Sequence, residues 1–251
     1  TLMMALTFFY FGGMYLNDAF DADIDAAERP ERPIPSGQVS AKAVFTLGFG
    51  MLALGIAALW YAGVKLPGGT GWAAAYAGMA LAVCITFYNW NHKGNPLSPL
   101  VMGACRMLIY IAAGAAVAVS LPQGLYFGAG ILLCYLIGLT FAAKQENLNK
   151  ITNLWPLVFL ALPFAYAAGL LDIDQTGAII FAIFLLWVLY ALSFLVFPSR
   201  INVPRAVVSL LAGICLLDAL LIAASGETSL AWLAVIGFPL TLAFQRWIPG
   251  T

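Results

Sequence analysis

The chain has 251 residues, 63% of them hydrophobic and only 9% charged, with a mean hydropathy of +0.95. A soluble domain has no use for so much apolar surface, so the expected solvent is lipid. Eleven basic residues balance eleven acidic ones, which leaves no polyanion footprint and excludes nucleic acid as an expected partner.

In chain order, the first segment is TLMMALTFFYFGGMYL. It has neither an initiator Met nor a basic n-region, so it does not read as a signal peptide. It reads as a helix entered partway along, and an upstream segment is expected. Apolar runs long enough to cross about 30 Å of hydrocarbon predict nine helices, at 1–25, 39–65, 71–91, 97–119, 123–150, 154–171, 176–197, 203–224 and 229–248. The breaks RPERPIPSG, LPGGTG, HKGNPLSP, SLPQG, LLDIDQTG, FPSRINVP and ASGETS are rich in Pro, Gly or Asn, which interrupt helices. One break, NKITN, is merely polar. Nothing resembles a strand-and-turn pattern, which argues against a membrane β-barrel. No internal repeat is visible, and the expected architecture is an all-α membrane bundle in a single domain over 1–251. The four cysteines, Cys84, Cys105, Cys134 and Cys215, lie far apart in apolar runs without metal-ligand spacing, and read as small buried hydrophobes. The lone histidine, His92, falls in a polar loop and reads as solvated.

Charge sets an expected orientation. The odd-numbered connections and the C-terminus carry Arg29, Arg32, Lys42, Lys93, Lys144, Lys150, Arg200, Arg205 and Arg246, whereas the even-numbered ones carry Lys65 with Asp172, Asp174 and Glu227. The positive-inside rule puts the first connection in the cytoplasm. Nine helices ending inside begin outside, and one further helix upstream would return the N-terminus to the cytoplasm.

The first connection is also where the acids collect. NDAFDADIDAAERPERPIPSG, residues 17–37, holds Asp18, Asp21, Asp23, Asp25, Glu28 and Glu31. Asp18, Asp21 and Asp25 are spaced i, i+3, i+7 and share a helix face with Asn17 beside them. Asp23 points away, and with Glu28 and Glu31 it reads as a solvated charge. Acids at membrane depth cost about 2.5–3.5 kcal/mol each on insertion scales, so three on one face need a partner. A hard divalent cation such as Mg²⁺ takes oxygen ligands and shares them with substrate phosphates. Arg29 and Arg32 follow within two turns, and guanidinium forks match phosphate oxygens. The pattern points to a lipid diphosphate held through Mg²⁺ at a membrane surface.

NDAFDADID followed by RPERPIPSG resembles the first signature of the UbiA superfamily of intramembrane prenyltransferases. With HKGNPLSPLVMGACR, AAKQENLN and the late LLDA, it is similar to the UbiA-like membrane proteins encoded in bacterial ebo clusters. The resemblance covers essentially the whole chain, with the family's first helix absent. It implies a helical bundle around a central cavity open laterally to lipid. It also implies transfer of an isoprenoid from a prenyl diphosphate to an aromatic or other lipid-soluble acceptor, with Mg²⁺ as cofactor. The expected setting is a bacterial inner membrane, with the site facing the cytoplasm. The implied metal ligands are Asp18, Asp21, Asp25 and Glu146.

The family's second acidic signature, DxxxD, is depleted in this chain. KQENLNKITN offers Glu146 in the first acidic position and Lys150 in the second, with Asn149 and Asn153 on the face of Glu146. Either Lys150 contacts diphosphate directly, or it pairs with Glu146 and no second ion binds. The family often carries a Tyr and then a Lys between the two signatures, a pattern Tyr88 and Lys93 fit loosely. Lys93 reads as a diphosphate contact or as a snorkelling lysine. Arg106 lies inside an apolar helix, where an arginine faces a bundle interior; it contacts substrate, or it pairs with Glu146 or an aspartate of the first cluster. Asp218, in GICLLDALLIAA, is a further intramembrane acid, with a structural hydrogen bond, an acceptor contact or Arg205 as its options. The aromatic run Phe8 to Phe11 and Tyr15 suits a prenyl channel as well as simple packing.

The leading expectation is thus a prenyltransferase. Asp18, Asp21 and Asp25 hold metal; Arg29, Arg32 and Lys93 stabilise the departing pyrophosphate; Asn17, Arg106, Glu146, Asn149 and Lys150 contact substrate. A non-catalytic binder of a lipid diphosphate or small metabolite, serving transport or assembly, is the alternative that the depleted second signature favours. An ion-coupled transporter would need an inverted repeat with interrupted helices, and neither is visible.

Overall fold

A computed structural model describes residues 1–144, 154–170, 174–245 and 247. Among the described residues there are ten α-helices and no strand: α1 (Leu2–Phe20), α2 (Ala22–Glu28), α3 (Ala41–Val64), α4 (Ala73–Asn91), α5 (Ser98–Val117), α6 (Gln123–Lys144), α7 (Leu162–Leu170), α8 (Gln175–Val196), α9 (Val203–Ala224) and α10 (Thr228–Phe244). The all-helical expectation holds among these residues, whereas the expected count of nine transmembrane helices is not confirmed by them. Six helices, α3, α4, α5, α6, α8 and α9, are long and apolar enough to cross a membrane. Helix α1 is not among them, because Asn17 and Asp18 occupy its last turn. The segment expected as one helix over 154–171 divides into a 3-10 stretch, Trp155–Ala161, and the short α7. Pro163 coincides with the division: its ring nitrogen has no hydrogen for an i→i−4 bond, and it sits in the first turn of α7, where that donor is not needed. Helix α10 ends at Phe244, earlier than expected.

The described chain forms two compact units, Thr1–Ala129 and Gly130–Thr251. In the first, α1 packs chiefly on α3, α4 on α5, and α4 also meets α3 and α1. The α1–α3 contact depends on missing side chains. A Cβ added at Gly12 would come within 3.0 Å of the Gly48 carbonyl oxygen, and one added at Gly48 within 2.8 Å of Leu16 Cγ. Small residues let helix backbones approach where lipid offers no hydrophobic drive to associate. Phe9, Leu16, Leu52, Leu59 and Leu81 fill the core of this unit. The ends of its helices follow local chemistry. The Ser40 hydroxyl accepts the Ala43 N–H at the start of α3, and Pro99 sits in the first turn of α5.

In the second unit α9 packs against α8 and α10. Two of its aromatics have their polar tips satisfied by backbone carbonyls: the buried Tyr135 Oη donates to Leu210 O at 2.8 Å, and the half-buried Trp187 Nε1 to Ser209 O at 2.7 Å. Asp174 caps α8 by accepting the Gly177 N–H, and Asn202 caps α9 by accepting that of Arg205. Large apolar side chains such as Val83, Leu54 and Leu186 point outward from the spans. That is a burden in water and the ordinary condition in hydrocarbon.

Candidate active site

The acidic stretch begins inside α1 and continues into α2. Asp21 separates the two helices in assignment only: its φ of −86° and ψ of 0° stay near the helical region. The backbone bonds Asp21 N to Asn17 O (3.0 Å) and Asp25 N to Asp21 O (2.8 Å) carry the i→i−4 ladder through the junction. Asn17, Asp21 and Asp25 therefore recur every four residues on one face. Asp21 and Asp25 are 7% and 5% exposed, and Asn17 is half-buried. The expected face of Asp18, Asp21 and Asp25 divides here, because the Asp18 side chain is 55% exposed and stands at the rim. Asp23, Glu28 and Glu31 are exposed, as expected of solvated charges.

Two cations reach this face from opposite sides of the sequence. The proline-rich loop after α2 turns back on itself through Arg32 N to Arg29 O (3.1 Å) and Ser36 N to Arg32 O (2.9 Å). Arg32 Nη1 then lies 2.8 Å from Asp25 Oδ2 and 3.4 Å from Asp18 Oδ1. From the end of α4, Lys93 Nζ lies 3.2 Å from Asp21 Oδ2. Gly94 follows at φ 73°, a left-handed conformation that turns the chain toward α5 directly after this lysine. Arg29 stays exposed and forms no ion pair among the described residues.

Two residues that the sequence did not single out belong to the site. His92, expected to be solvated, stacks on the Tyr88 ring with centroids 5.0 Å apart. Its Nδ1 lies 3.3 Å from Asn89 O and its Nε2 3.7 Å from Asp21 Oδ2. Asn89 is buried and bridges helices: its Nδ2 donates to Gly13 O at 3.0 Å, and its Oδ1 accepts from Asn17 Nδ2 at 3.3 Å. The only sequence signal was the spacing of Asn89, His92 and Lys93 at i, i+3, i+4 in YNWNHK.

Other expected contributors stand apart. Arg106, on α5, is half-buried and makes no ion pair with the aspartates among the described residues. Glu146, Asn149, Lys150 and Asn153 lie outside the described residues. Asp218 is half-buried on α9, while Arg205 donates to Tyr190 Oη at 2.9 Å and stands 4.7 Å from the Phe194 ring centroid. Arg205 and Asp218 are separated by about 20 Å of helical rise, which removes the expected option of pairing between them. Cys105 is buried, but Cys84, Cys134 and Cys215 are only half-buried; Cys84 and Cys105 sulfurs lie 3.4 Å apart, both as free thiols.

The sequence model of the UbiA prenyltransferase family matches residues 1–248. The chain belongs to the UbiA prenyltransferase family. Membership makes it a transferase of prenyl groups, and its apolar helices make it an integral membrane protein. This UbiA chain is similar to the digeranylgeranylglyceryl phosphate synthase of Methanopyrus kandleri, with 30% identity over 227 residues, 86% of this chain and 73% of that protein. The protein of the same name from Thermococcus kodakarensis is 33% identical over 108 residues, 41% of this chain and 36% of its own length. The Methanosarcina mazei synthase is 54% identical over 43 residues, covering 17% of this chain and 15% of that protein. No solved structure gives a significant match.

The donor set of this UbiA site suits Mg²⁺. No group of three His, Cys, Asp or Glu forms a ready-made metal cage among the described residues. Mg²⁺ does not need one, since it keeps several waters and commonly takes one or two carboxylates plus substrate phosphates. Asp21 and Asp25 supply two buried, hard oxygen donors one helical turn apart, with the Asn17 carboxamide one turn before.

Proposed function

We propose that this protein is a Mg²⁺-dependent intramembrane prenyltransferase that moves an isoprenoid from an allylic prenyl diphosphate to a lipid-soluble acceptor. The observation that carries the reading is the pair of buried carboxylates, Asp21 and Asp25, each met by its own cation, Lys93 at 3.2 Å and Arg32 at 2.8 Å. Two negative charges and two positive charges at one helix face are complementary to a metal diphosphate. The carboxylates take the metal and the cations take the phosphate oxygens.

Asp21, Asp25 and Asn17, with Asp18 at the rim, would hold Mg²⁺. When bound, the ion supplies Lewis-acid neutralisation of the diphosphate. Arg32 and Lys93 leave their carboxylates for phosphate oxygens and stabilise the charge that accumulates on the leaving group. The prenyl C–O bond breaks, and pyrophosphate departs with the electron pair. The acceptor nucleophile bonds to the allylic carbon and releases its proton. Tyr88, stacked on His92, helps hold that histidine beside Asp21.

The acceptor class is drawn from two sides. The relatives are named for a product with geranylgeranyl groups on glyceryl phosphate, which supports a prenylated glyceryl phosphate. The likeness to proteins of bacterial ebo clusters supports an aromatic or other lipid-soluble acceptor in a bacterial inner membrane. The basic residues of the odd-numbered connections support a site on the cytoplasmic side. We take 1–251 as one catalytic domain, to which Glu146 contributes a further carboxylate. Incubating membranes with Mg²⁺, radiolabelled geranylgeranyl diphosphate and either geranylgeranylglyceryl phosphate or a lipid extract tests the reading. A labelled lipid larger than the donor, absent when Mg²⁺ is chelated, is the expected product. Label that stays on the donor under every acceptor, with the protein folded, counts against the assignment.

A further inference from the structure

The hydrogen-bond polarity of three groups at the α1–α4 crossing fixes which end of Asn17 faces its neighbours. The Gly13 carbonyl can only accept. Asn89 lies 3.0 Å from it and must present its amide nitrogen there. Its other end, Oδ1, then faces Asn17 at 3.3 Å and can only accept. Asn17 must in turn present Nδ2 to Asn89, which leaves Asn17 Oδ1 as the outward end. Among the described residues that oxygen accepts no hydrogen bond. Asn17 shares its face with Asp21 and Asp25, which lie one and two turns further on. The backbone carbonyl of Gly13 thus dictates, through Asn89, that a carboxamide oxygen and not an NH₂ group joins the carboxylate face. At 5% exposure Asn89 is largely shielded from water that could exchange its partners, which holds the polarity in place. An unlocked Asn17 would be free to turn its NH₂ toward the site. There it would oppose a cation and neutralise part of the carboxylate field.

We propose that Asn89 is a positioning residue for the reaction: it orients the Asn17 oxygen as a donor to the divalent cation held by Asp21 and Asp25. This rests on the Mg²⁺ reading above. Partners behind a ligating group commonly change metal affinity by 10–100-fold when removed. Leucine at position 89 fills a similar volume but fixes no polarity. Aspartate at 89 still accepts from Asn17 Nδ2 and keeps the orientation, although it opposes the Gly13 carbonyl. Aspartate at 17 has an oxygen at either end and needs no orienting partner.

The test measures Mn²⁺ binding to the purified full chain in detergent, from the electron paramagnetic resonance signal of the free ion. Thermal midpoints are recorded alongside to confirm folding. N89L is expected to weaken Mn²⁺ binding by about tenfold or more, while N89D stays within about threefold of wild type. In an N17D background, adding N89L is expected to change the dissociation constant by less than about twofold, because the two sites are coupled through the lost orientation. An equal loss from N89L in both backgrounds, or no loss in the wild-type background, overturns the positioning role. A packing role alone reverses the order, with N89D worse than N89L. If N89L does not fold, N89A in the wild-type and N17D backgrounds carries the same decision, with a loss expected only in the former. A wild-type chain that binds no Mn²⁺ removes the metal reading itself and the positioning role with it. That outcome is distinct from Mn²⁺ binding that ignores position 89.

Discussion

Replacing Arg32 with Gln tests the charge arrangement at the acidic face. Arg32 Nη1 lies 2.8 Å from Asp25 Oδ2 and 3.4 Å from Asp18 Oδ1, and Asp25 is only 5% exposed. Removing one partner of a fully buried ion pair costs about 3–5 kcal/mol, because the other charge is left without compensation. Arg32 is partly open to solvent, which lowers the figure toward the about 1.5–3 kcal/mol of a hydrogen bond to a charged group. A loss near 2 kcal/mol corresponds to a fall of about 4–8 °C in the thermal midpoint of a chain this size. A divalent cation can replace the missing charge at Asp25, so saturating Mg²⁺ should recover most of that fall in R32Q and stabilise the wild type far less. The assay is thermal unfolding of the detergent-solubilised protein with and without Mg²⁺. Equal Mg²⁺ stabilisation of both proteins, or an unchanged midpoint in R32Q, would refute the claim that Arg32 is the resident counter-ion of a metal-binding carboxylate.

At Lys93, which is more exposed than Arg32 but faces the buried Asp21, K93A should cost less stability than R32Q, about 1 kcal/mol. It should raise the KM for the diphosphate donor about tenfold, equivalent to about 1.4 kcal/mol of lost binding, with K93R largely restoring it. Steady-state kinetics with the donor varied and the acceptor saturating reads both. At the α1–α3 contact, the added methyl of G48A would sit 2.8 Å from Leu16 Cγ, and Leu16 is fully buried. The expected overpacking cost of about 1–3 kcal/mol exceeds the about 1 kcal/mol that alanine returns in helix propensity. A thermal midpoint at or above wild type for G48A would show that the two backbones have room to part.

Where the sequence alone sufficed, the determinants were local. The limits of α8 and α9 follow from Asp174 and Asn202, whose side chains close the first turns. Pro163 was as visible as either cap, yet a window of apolar residues hid it, so 154–171 read as one helix. The acidic face was legible as a helical arc, but two arcs were available. Asp18, Asp21 and Asp25 at i, i+3, i+7 and Asn17, Asp21, Asp25 at i, i+4, i+8 are equally good helical stripes. Only the packing of α4 against α1, across a sequence separation of 72 in the Asn17–Asn89 bond, decides that Asn17 is drawn in and Asp18 left at the rim. For the same reason Asn89 and His92 were invisible as site residues. Their partners lie on another helix, and no spacing within YNWNHK encodes the contact with Gly13 or Asp21.

The central claim is diphosphate chemistry at Asp21 and Asp25, and pyrophosphate release tests it most directly. Membranes containing the wild type or D21N would be given Mg²⁺, prenyl diphosphates of graded chain length and a lipid extract as the source of acceptors. The account predicts Mg²⁺-dependent release by the wild type and a loss of at least about a hundredfold in D21N, roughly 2.7 kcal/mol of leaving-group stabilisation. Equal release by the two proteins, with D21N folded, would contradict it.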